Sequence, residues 1–328
     1  MTSKKSVFRM LLFATLVLAL ILLTFWRSSA RGAAANAAYP AQGRLIDVDG
    51  TPVHVLIAGS GPDLVLLHGA NGNLRDWTFD FVDRVSDRYR VIMFDRPGLG
   101  QSGRLPGKSG PWNSHFESPK EQAILLQKAA AIVGIDTPVV VGHSFGGAVA
   151  LAWALEQPED TAALVMLGGV SNPWPGDLGK LYQINSSPWG GALAVPLLSA
   201  FVPAPYIDDS IESVFAPHPT PDGYATHAGV SLALRRETMR ANAQQVNGLR
   251  PHIVRMSKHY SSLSLPIEII HGDQDTIVPL AIHSVPLSNQ ATNAQLTVLK
   301  GTGHMPHHTD PQAVVDAIDR AAQRAGLR

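Results

Sequence analysis

A serine between glycines stands where a β-rich run meets a helical pattern. The sequence GHSFGG, residues 142–147, follows the apolar run 139–141 and precedes an alanine-rich stretch, which is the context of a nucleophile elbow. Glycines on both sides leave room for a sharp turn that strains the serine backbone and projects its hydroxyl into a cleft. This pattern predicts Ser144 as a nucleophile, and the alternative is an ordinary strand-to-helix turn.

A glycine-rich loop after another predicted strand could bind an oxyanion. The sequence HGANGN, residues 68–73, follows the apolar run 64–67. Two preorganised backbone N–H groups stabilise the tetrahedral intermediate of acyl transfer more than they stabilise the substrate. We predict that the amides of Ala70 and Phe145 form this oxyanion hole. A glycine-rich turn without a catalytic role is the alternative.

A histidine-rich loop near the C-terminus offers a general base. The sequence GTGHMPHH, residues 301–308, follows the predicted strand 296–299, so His304 can reach a cleft at the strand ends. His304, His307 and His308 could instead bind a metal, but the chain has no cysteine and no obvious acidic partner on a helix. We predict His304 as the base and expect neither a metal nor a cofactor.

Two carboxylates follow another predicted strand. Asp273 and Asp275 come directly after the run 267–270. A catalytic carboxylate holds the imidazole in the correct tautomer and stabilises the imidazolium that forms during attack. One of the two is predicted to be the acid, and the residues alone leave the choice open.

These distant segments need a scaffold that brings them together. From Gly43 onward, short β-rich runs alternate with helical patterns, which predicts a mostly parallel sheet flanked by helices. The predicted strands are residues 52–57, 64–67, 90–94, 139–141, 163–167, 267–270 and 296–299. The clearest predicted helices are residues 119–133, 145–156 and 311–325.

The alternation fails in the middle of the chain, where prolines and scattered aromatic residues replace it. We predict a mainly helical cap at residues 171–265, inserted between two parts of the core, 43–170 and 266–328. Four aromatic residues of the cap are candidates for the wall of a substrate pocket: Trp174, Tyr182, Trp189 and Phe201. The alternative is that they pack a small core within the cap itself.

The N-terminus carries a membrane-directed segment. The uncharged apolar run 10–26 lies between basic residues, and as a helix it would span about 25 Å, close to the hydrocarbon thickness of a bilayer. We predict residues 1–31 as a transmembrane anchor, followed by a linker at 32–42. The alternative is a signal peptide that is cleaved near the small-residue site 35–37.

Charge and composition limit the partners and the location. More basic residues precede the apolar run than follow it, which favours a body on the non-cytoplasmic side of the membrane. A cleaved segment would instead leave the body periplasmic or secreted. The formal net charge of zero and the lack of a long Lys/Arg run argue against nucleic-acid binding. The absence of cysteine excludes disulfides and thiolate nucleophiles.

Taken in order, the four chemical segments resemble the α/β-hydrolase superfamily, in particular its capped esterases, carbon–carbon bond hydrolases and cofactor-free haloperoxidases. The resemblance covers roughly residues 43–326. In that superfamily the triad runs nucleophile, acid, histidine along the chain, an order that Ser144, Asp275 and His304 satisfy. The resemblance therefore implies an α/β-hydrolase fold with these three residues as its triad.

The resemblance also bears on two details. The superfamily places its acid three residues after a loop glycine, here Gly272, and shortly before a hydrophobic-proline pair, here residues 278–279, which favours Asp275 over Asp273. Residues 95–102 resemble the turn after its third strand and are interpreted as structural. Relatives that open epoxides or remove halogens carry Asp at the elbow, so a serine at this position makes those reactions poor candidates.

The sequence thus predicts a serine hydrolase that cleaves a carboxylic ester or a similar acyl compound through an acyl-enzyme. The expected partner is a small acyl molecule, and the anchor suggests a hydrophobic one. Carbon–carbon cleavage, lactone hydrolysis or perhydrolysis on the same triad remain open, because the cap decides the substrate. A membrane-bound receptor or scaffold with a silent triad is the alternative from another class.

Overall fold

The computed structural model describes residues 4–328, so the first three residues of the predicted anchor segment 1–31 lie outside the described residues. The strands of the described chain are β1 Arg44–Val48, β2 Thr51–Ala58, β3 Asp63–Leu67, β4 Arg90–Phe94, β5 Val139–His143, β6 Ala163–Leu167, β7 Ile267–Gly272 and β8 Ala294–Leu299. The helices are α1 Lys4–Ala38, α2 Arg75–Thr78, α3 Pro119–Ile132, α4 Phe145–Glu156, α5 Lys180–Ser186, α6 Val195–Phe201, α7 Ala204–Phe215, α8 Tyr224–His227, α9 Arg236–Asn247, α10 Leu249–Met256, α11 Ser284–Gln290, α12 Pro306–Thr309 and α13 Pro311–Arg324.

All these strands form one sheet in the order β1-β2-β4-β3-β5-β6-β7-β8. The six strands from β4 to β8 in this order pair in parallel, whereas β1 and β2 join the edge in antiparallel fashion. The predicted mostly parallel sheet is therefore confirmed. Because the carboxyl ends of parallel strands meet at one edge, the loops after β3, β5, β7 and β8 are brought to the same side.

Helices cover both faces of the sheet, as the apolar runs of the central strands require. Alternate residues of β3 show the division, since successive strand side chains point to opposite faces. Val65 and Leu67 belong to the core that contains α3 and α4. Leu64 and Leu66 belong to the core that contains α13. This double burial makes the sheet a rigid support for the loops at its edge.

The predicted elements and the observed ones agree best in the buried centre. Strands at 90–94 and 163–167 and the helix at 145–156 are confirmed at both ends. Strand β1 was not predicted. It is an edge strand in which only Val48 is fully buried, and its sequence RLIDV gives no sustained alternation.

The segment between β6 and β7 folds as helices α5 to α10 with short 3-10 and π turns. The predicted cap, 171–265, falls inside this segment. The mainly helical character that we predicted for these residues is therefore confirmed.

Helix α1 differs from the prediction at its C-terminal end. It continues to Ala38, so most of the predicted linker 32–42 is helical, because alanine has the highest helix propensity and Ala35 is buried against the body. Among the described residues, α1 is long and apolar enough to cross a membrane, and the pair Gly190–Phe201 and Ala204–Phe215, bent by 97°, passes the same test together.

Candidate active site

Ser144 occupies the sharp turn between β5 and α4. Its backbone has φ 54° and ψ −120°, a region that costs a non-glycine residue about 1–3 kcal/mol. The Ser144 amide donates to Leu167 O (3.0 Å), and the Val170 amide donates to Ser144 O (3.0 Å). These bonds to neighbouring backbone hold the strained turn, and the serine lines a cavity.

Gly146 allows α4 to approach the sheet at this turn. A Cβ added to it would overlap the carbonyl oxygens of Leu67 and His68 at the end of β3. Because these backbone oxygens could move aside only at a large cost in free energy, only glycine fits this position. The turn that presents Ser144 therefore depends on a residue that the sequence motif already contains.

His304 and Asp275 form a buried pair beside the same cavity. His304 Nδ1 lies 2.7 Å from Asp275 Oδ2, and because an ionised carboxylate only accepts, Nδ1 carries a proton and donates to Asp275. Asp275 Oδ1 accepts from the amides of Ile277 and Val278, each at 2.9 Å. The carboxylate is thus fixed on one side by backbone and on the other by the imidazole.

The surroundings of Asp275 keep it ionised. Burial alone would raise its pKa, but hydrogen bonds from His271 and His304, the charge of His304 and the Val278 amide hold that pKa well below the usual value. His271 Nε2 lies 3.2 Å from Asp275 Oδ2. Asp273, the other candidate acid, is exposed and accepts instead from the Gly301 amide at 2.7 Å. Of the two carboxylates, the structure places Asp275 on His304.

The cavity has a volume of about 530 Å³, and Ser144, His304 and Ala70 all line it. Phe145 is the first residue of α4, where the helix provides no acceptor for the backbone N–H. Helices α5, α6 and α7 contribute a large apolar part of the remaining wall: Leu181, Leu198, Ile207, Ile211 and Val214. The cavity therefore joins the edge of the sheet to the cap.

Arg96, within the segment interpreted as structural, holds the loop that contains Ala70. This fully buried guanidinium donates from Nε to His68 O and from Nη2 to Gly69 O, each at 2.9 Å. It also lies 4.3 Å from the centre of the Phe145 ring. One side chain thus ties together the two backbone segments that carry the predicted oxyanion donors, a role that the sequence alone did not indicate.

Asn242 is a cavity residue that sequence reasoning missed. It lies on α9 in the cap and lines the cavity, and its Oδ1 accepts from the Asn71 amide at 2.7 Å. A polar residue in a helix of mixed composition gives no signal of such a contact, because the contact depends on how the cap sits on the core.

The predicted aromatic pocket wall needs correction. Of the four candidates, Tyr182 lines the cavity, whereas Trp174, Trp189 and Phe201 are absent from the lining within the described residues. Trp174 packs against the main core. Trp189 is exposed and forms an edge-on pair with Trp112, with ring centres 5.1 Å apart. Phe201 lies under the Arg27 guanidinium, 5.3 Å away. Aromatic type alone did not reveal which face of each helix turns inward.

A second histidine–carboxylate cluster reaches the cavity, because Asp76 and Tyr224 are part of the lining. Asp76 accepts from His307 Nε2 at 3.1 Å and from His308 Nε2 at 2.9 Å. Tyr224 of the cap donates its hydroxyl to Asp76 Oδ1 at 2.7 Å. The other nitrogen of His308, Nδ1, lies 3.0 Å from Asp80 Oδ1. This cluster joins the histidine loop, α2 and the cap.

The carboxylates of this cluster shift the pKa of His308. Burial alone would lower the pKa of His308, but its hydrogen bonds to Asp76 and Asp80 and their charges raise that pKa to about 9. Asp76, His307 and His308 offer ligand atoms within 4.8 Å of one another, a donor set that Zn²⁺ accepts. His308 pairs with both carboxylates through its two nitrogens, whereas the buried His307 Nδ1 has no hydrogen-bond partner among the described residues.

Comparison with known proteins adds the family. A family model described as the alpha/beta hydrolase fold matches residues 62–311. An uncharacterised protein of Mycobacterium tuberculosis is 28% identical over 273 residues, which cover 80% of this chain and 76% of that protein. A pimeloyl-[acyl-carrier protein] methyl ester esterase of Aeromonas hydrophila is 28% identical over 277 residues, covering 80% of this chain and 95% of the esterase.

Solved structures agree with this fold. The crystal structure of a membrane phospholipase A, described as a bacterial virulence factor, matches 95% of this chain and 99% of that chain, with a TM-score of 0.64 and 20% identity. Since the matched family model spans most of the chain and its fold is the one seen here, the chain belongs to the α/β-hydrolase family and is a hydrolase.

Proposed function

We propose that this hydrolase is a membrane-anchored serine esterase that cleaves carboxylic esters with a hydrophobic acyl group. One observation carries the proposal: the strained Ser144 and the imidazole of His304, which is bonded to Asp275, line one cavity. A nucleophile, a base and an orienting carboxylate at one site are the parts that acyl transfer requires.

The first half of the reaction forms an acyl-enzyme. His304 Nε2 takes the proton of the Ser144 hydroxyl as Oγ bonds to the carbonyl carbon, and the negative charge moves to the carbonyl oxygen. The amides of Ala70 and Phe145 donate to this oxyanion. When the intermediate collapses, the carbon–oxygen ester bond breaks and His304 gives its proton to the leaving alkoxide. Asp275 remains ionised and stabilises the imidazolium while it exists.

The second half restores the enzyme. A water molecule gives its proton to His304 as its oxygen bonds to the acyl carbon. The tetrahedral intermediate then expels Ser144 Oγ, which regains the proton from His304, and the carboxylic acid leaves. The low pKa of Asp275 supports this cycle, because a neutral acid would not stabilise the imidazolium.

The cavity wall supports a hydrophobic acyl group. Its apolar lining from α5, α6 and α7 would stabilise a buried acyl chain by about 25 cal/mol per Å² of apolar surface removed from water. The same helices also contribute the polar side chains of Asn185, Ser210 and Ser213 to the lining. The relative from Aeromonas hydrophila is a pimeloyl-[acyl-carrier protein] methyl ester esterase, which supports an ester of an acyl chain as the substrate here.

Contacts between α1 and the body support a retained anchor rather than a cleaved signal. Arg27 Nε donates to Ala200 O at 2.8 Å, and Arg31 Nη1 donates to the same oxygen at 3.1 Å. The Ser28 hydroxyl donates to Ser199 Oγ at 3.1 Å, and both serines are buried. Cleavage near residues 35–37 would remove each of these bonds. The basic residues before the apolar run favour a body on the non-cytoplasmic side.

The test is to replace Ser144 with alanine in the full chain. Turnover of p-nitrophenyl esters should fall by roughly a millionfold, the scale of the subtilisin knockouts, and labelling by a fluorophosphonate should be lost. Ser288→Ala is the matched control, because Ser288 is half-buried on α11 away from the cavity lining and its hydroxyl donates to Val285 O. Near-normal turnover in S144A would contradict the proposal. A folded wild-type protein that the fluorophosphonate does not label would favour the alternative of a membrane-bound receptor or scaffold with a silent triad.

The choice among reactions of this family requires a substrate panel. Esters with acyl chains from acetate to decanoate, lactones and vinylogous diketones test the esterase against lactone and carbon–carbon hydrolysis on the same triad. A rate that rises with acyl length supports the apolar cavity as the acyl site. If none of the esters were hydrolysed faster than the uncatalysed background, the esterase proposal would be wrong.

A further inference from the structure

Three large apolar side chains form a stripe on the outside of the cap. Leu193, Leu197 and Phe201 stand four residues apart, so they lie on one side of α6 and the turn that precedes it. Their exposed fractions are 57%, 46% and 41%. A contiguous apolar surface of this kind marks contact with a partner that is not water.

The position of α1 identifies the side of the molecule on which this stripe lies. Helix α6 packs directly along α1 through the buried pair Ser28 and Ser199. The contact falls immediately after the apolar run 10–26 of α1, where a membrane-spanning helix would leave the hydrocarbon. The stripe therefore begins beside the membrane surface rather than far from it.

Basic side chains stand at the same level. Arg27 lies over the Phe201 ring at 5.3 Å, and Arg236 of α9 lies over the Phe25 ring at 5.4 Å. Arg236 Nη2 also donates to Ser29 Oγ at 3.2 Å. Arginines next to exposed aromatic rings are typical of the headgroup region, where lipid phosphates offer negative charge.

We infer that the outer side of the cap, formed by Leu193, Leu197, Phe201 and the neighbouring Arg27 and Arg236, is a second membrane-binding surface that lies in the lipid interface beside α1. We call it the cap membrane face. Its continuity with α1 and its pairing of apolar and cationic side chains favour lipid as the occupant. The segment that contains it, Gly190–Phe201 with Ala204–Phe215, is also apolar enough to enter a bilayer.

The cap membrane face and the cavity share one helix. Leu198, next to the stripe residue Leu197, lines the cavity, as does Val202 after Phe201. A lipid-seated α6 would thus place a wall of the cavity at the bilayer surface, and an acyl chain could pass from lipid to Ser144 without crossing water. This consequence rests on the proposed function, whereas the membrane contact itself does not.

The absence of cysteine in the chain permits a direct test by site-directed spin labelling. We propose single variants Leu193→Cys and Ile132→Cys in the full-length protein, reconstituted into vesicles of phosphatidylethanolamine and phosphatidylglycerol. Both residues are 57% exposed, but Ile132 ends α3 on the core. The label at 193 should collide more with oxygen and less with a water-soluble nickel chelate than the label at 132.

Each other outcome would overturn the inference. Equal collision ratios at positions 193 and 132 would mean that the stripe faces water. Spin–spin broadening at position 193 that disappears on dilution with unlabelled protein would mean that a second copy covers it. Neither readout depends on catalysis, so this inference can fail or stand separately from the esterase proposal.

A kinetic test asks whether the face serves the reaction. The double variant Leu193→Asp and Leu197→Asp should hydrolyse esters embedded in the same vesicles at least about 10-fold more slowly, because two apolar contacts with lipid are lost. Its rate on a soluble short-chain ester should stay within about twofold of wild type, since neither residue lines the cavity. Equal losses on both substrates would count against a membrane role, and Ile132→Asp is the control.

Discussion

Two histidines four residues apart have different surroundings: His304 lies in the loop after β8, and His308 lies in the short helix α12 that follows. His304 has one nitrogen on Asp275 and lines the cavity. His308 has both nitrogens on carboxylates, Asp76 and Asp80. A general base must offer a lone pair to its substrate, so only His304 can act as one. An imidazole with two acidic partners is a fixed cation.

The difference indicates that proximity to a carboxylate does not by itself fit a histidine for the role of general base that we propose for His304. Asp275 uses one oxygen for His304 and the other for backbone amides, which orients the ring without filling its second nitrogen. With its pKa raised to about 9, His308 remains protonated at neutral pH. The number of carboxylate acceptors around each ring separates the histidine that we propose as the base from the one that stabilises the fold.

The largest effect should come from removing the proposed base. Replacing His304 with glutamine should lower kcat by roughly a millionfold, because the serine then has no proton acceptor. The measurement is kcat on a p-nitrophenyl ester, with folding checked by circular dichroism. A loss below about tenfold would mean that another group takes the proton.

The next effect concerns the carboxylate that orients His304. Asp275→Asn should lower kcat by about ten thousandfold, since an amide can support the wrong tautomer. Asp273→Asn is the matched control on the same loop, and its kcat should change by less than about threefold because Asp273 bonds only the Gly301 amide. A larger loss in D273N than in D275N would reverse the assignment.

Removal of the structural histidine should act on stability instead. His308→Gln leaves Asp76 and Asp80 without their shared cation, and breaking such a buried pair costs about 3–5 kcal/mol in free energy of unfolding. Thermal unfolding in detergent measures this loss of stability. His259→Gln is the control variant, since His259 is exposed. If H308Q unfolded like wild type but lost its turnover, the division between the two histidines would be wrong.

The pH dependence of stability should follow from the raised pKa of His308. Its folded pKa of about 9 exceeds the unfolded value of 6.5, so its contribution is complete below pH 6.5 and is lost as pH rises through 9. The shift corresponds to a loss on the order of 3 kcal/mol across this window. Unfolding from pH 6 to 10 should show the decline in wild type and a weaker one in H308Q. If stability declined equally with pH in wild type and H308Q, the decline would come from groups other than His308.

The smallest effect concerns the link from this cluster to the cap. Tyr224→Phe removes the hydroxyl that donates to Asp76 and should cost about 1.5 kcal/mol of stability, because a hydrogen bond to a charged acceptor is lost while the ring stays packed. Thermal unfolding measures it. A double variant with H308Q shows whether the two losses are coupled, and strict additivity would mean that Tyr224 acts independently.

The sequence predicted those parts of the site that lie in local motifs. Ser144 stands in its glycine turn and His304 in its loop, so their neighbours along the chain identify them. Asp275 and Asp273 could be separated only by resemblance, since both follow the same strand, and contact with His304 depends on the fold. Asp76 meets His308 across 232 positions of sequence, a pairing that no local pattern encodes.

The same dependence on distant contacts decides which parts of the fold and of the cap could be predicted. Strands such as 90–94 are buried on both faces, and their continuous apolar runs mark their ends. Strand β1 has one buried residue and gives no such signal. In the cap, Tyr182 and Trp189 looked alike as sequence, but one lines the cavity and the other is exposed. Which side of a cap helix faces inward is decided by packing against distant residues.

The unbroken course of α1 has a mechanical consequence. A single helix from Lys4 to Ala38, about 50 Å long at 1.5 Å per residue, has no break between its apolar run and the residues Arg27, Ser28 and Arg31 that bond it to the body. An enzyme on such a stiff stem, once retained, would keep one tilt toward the bilayer and search in two dimensions. Its speed would then follow the mole fraction of ester among the lipids, and adding more vesicles of the same composition would not raise it.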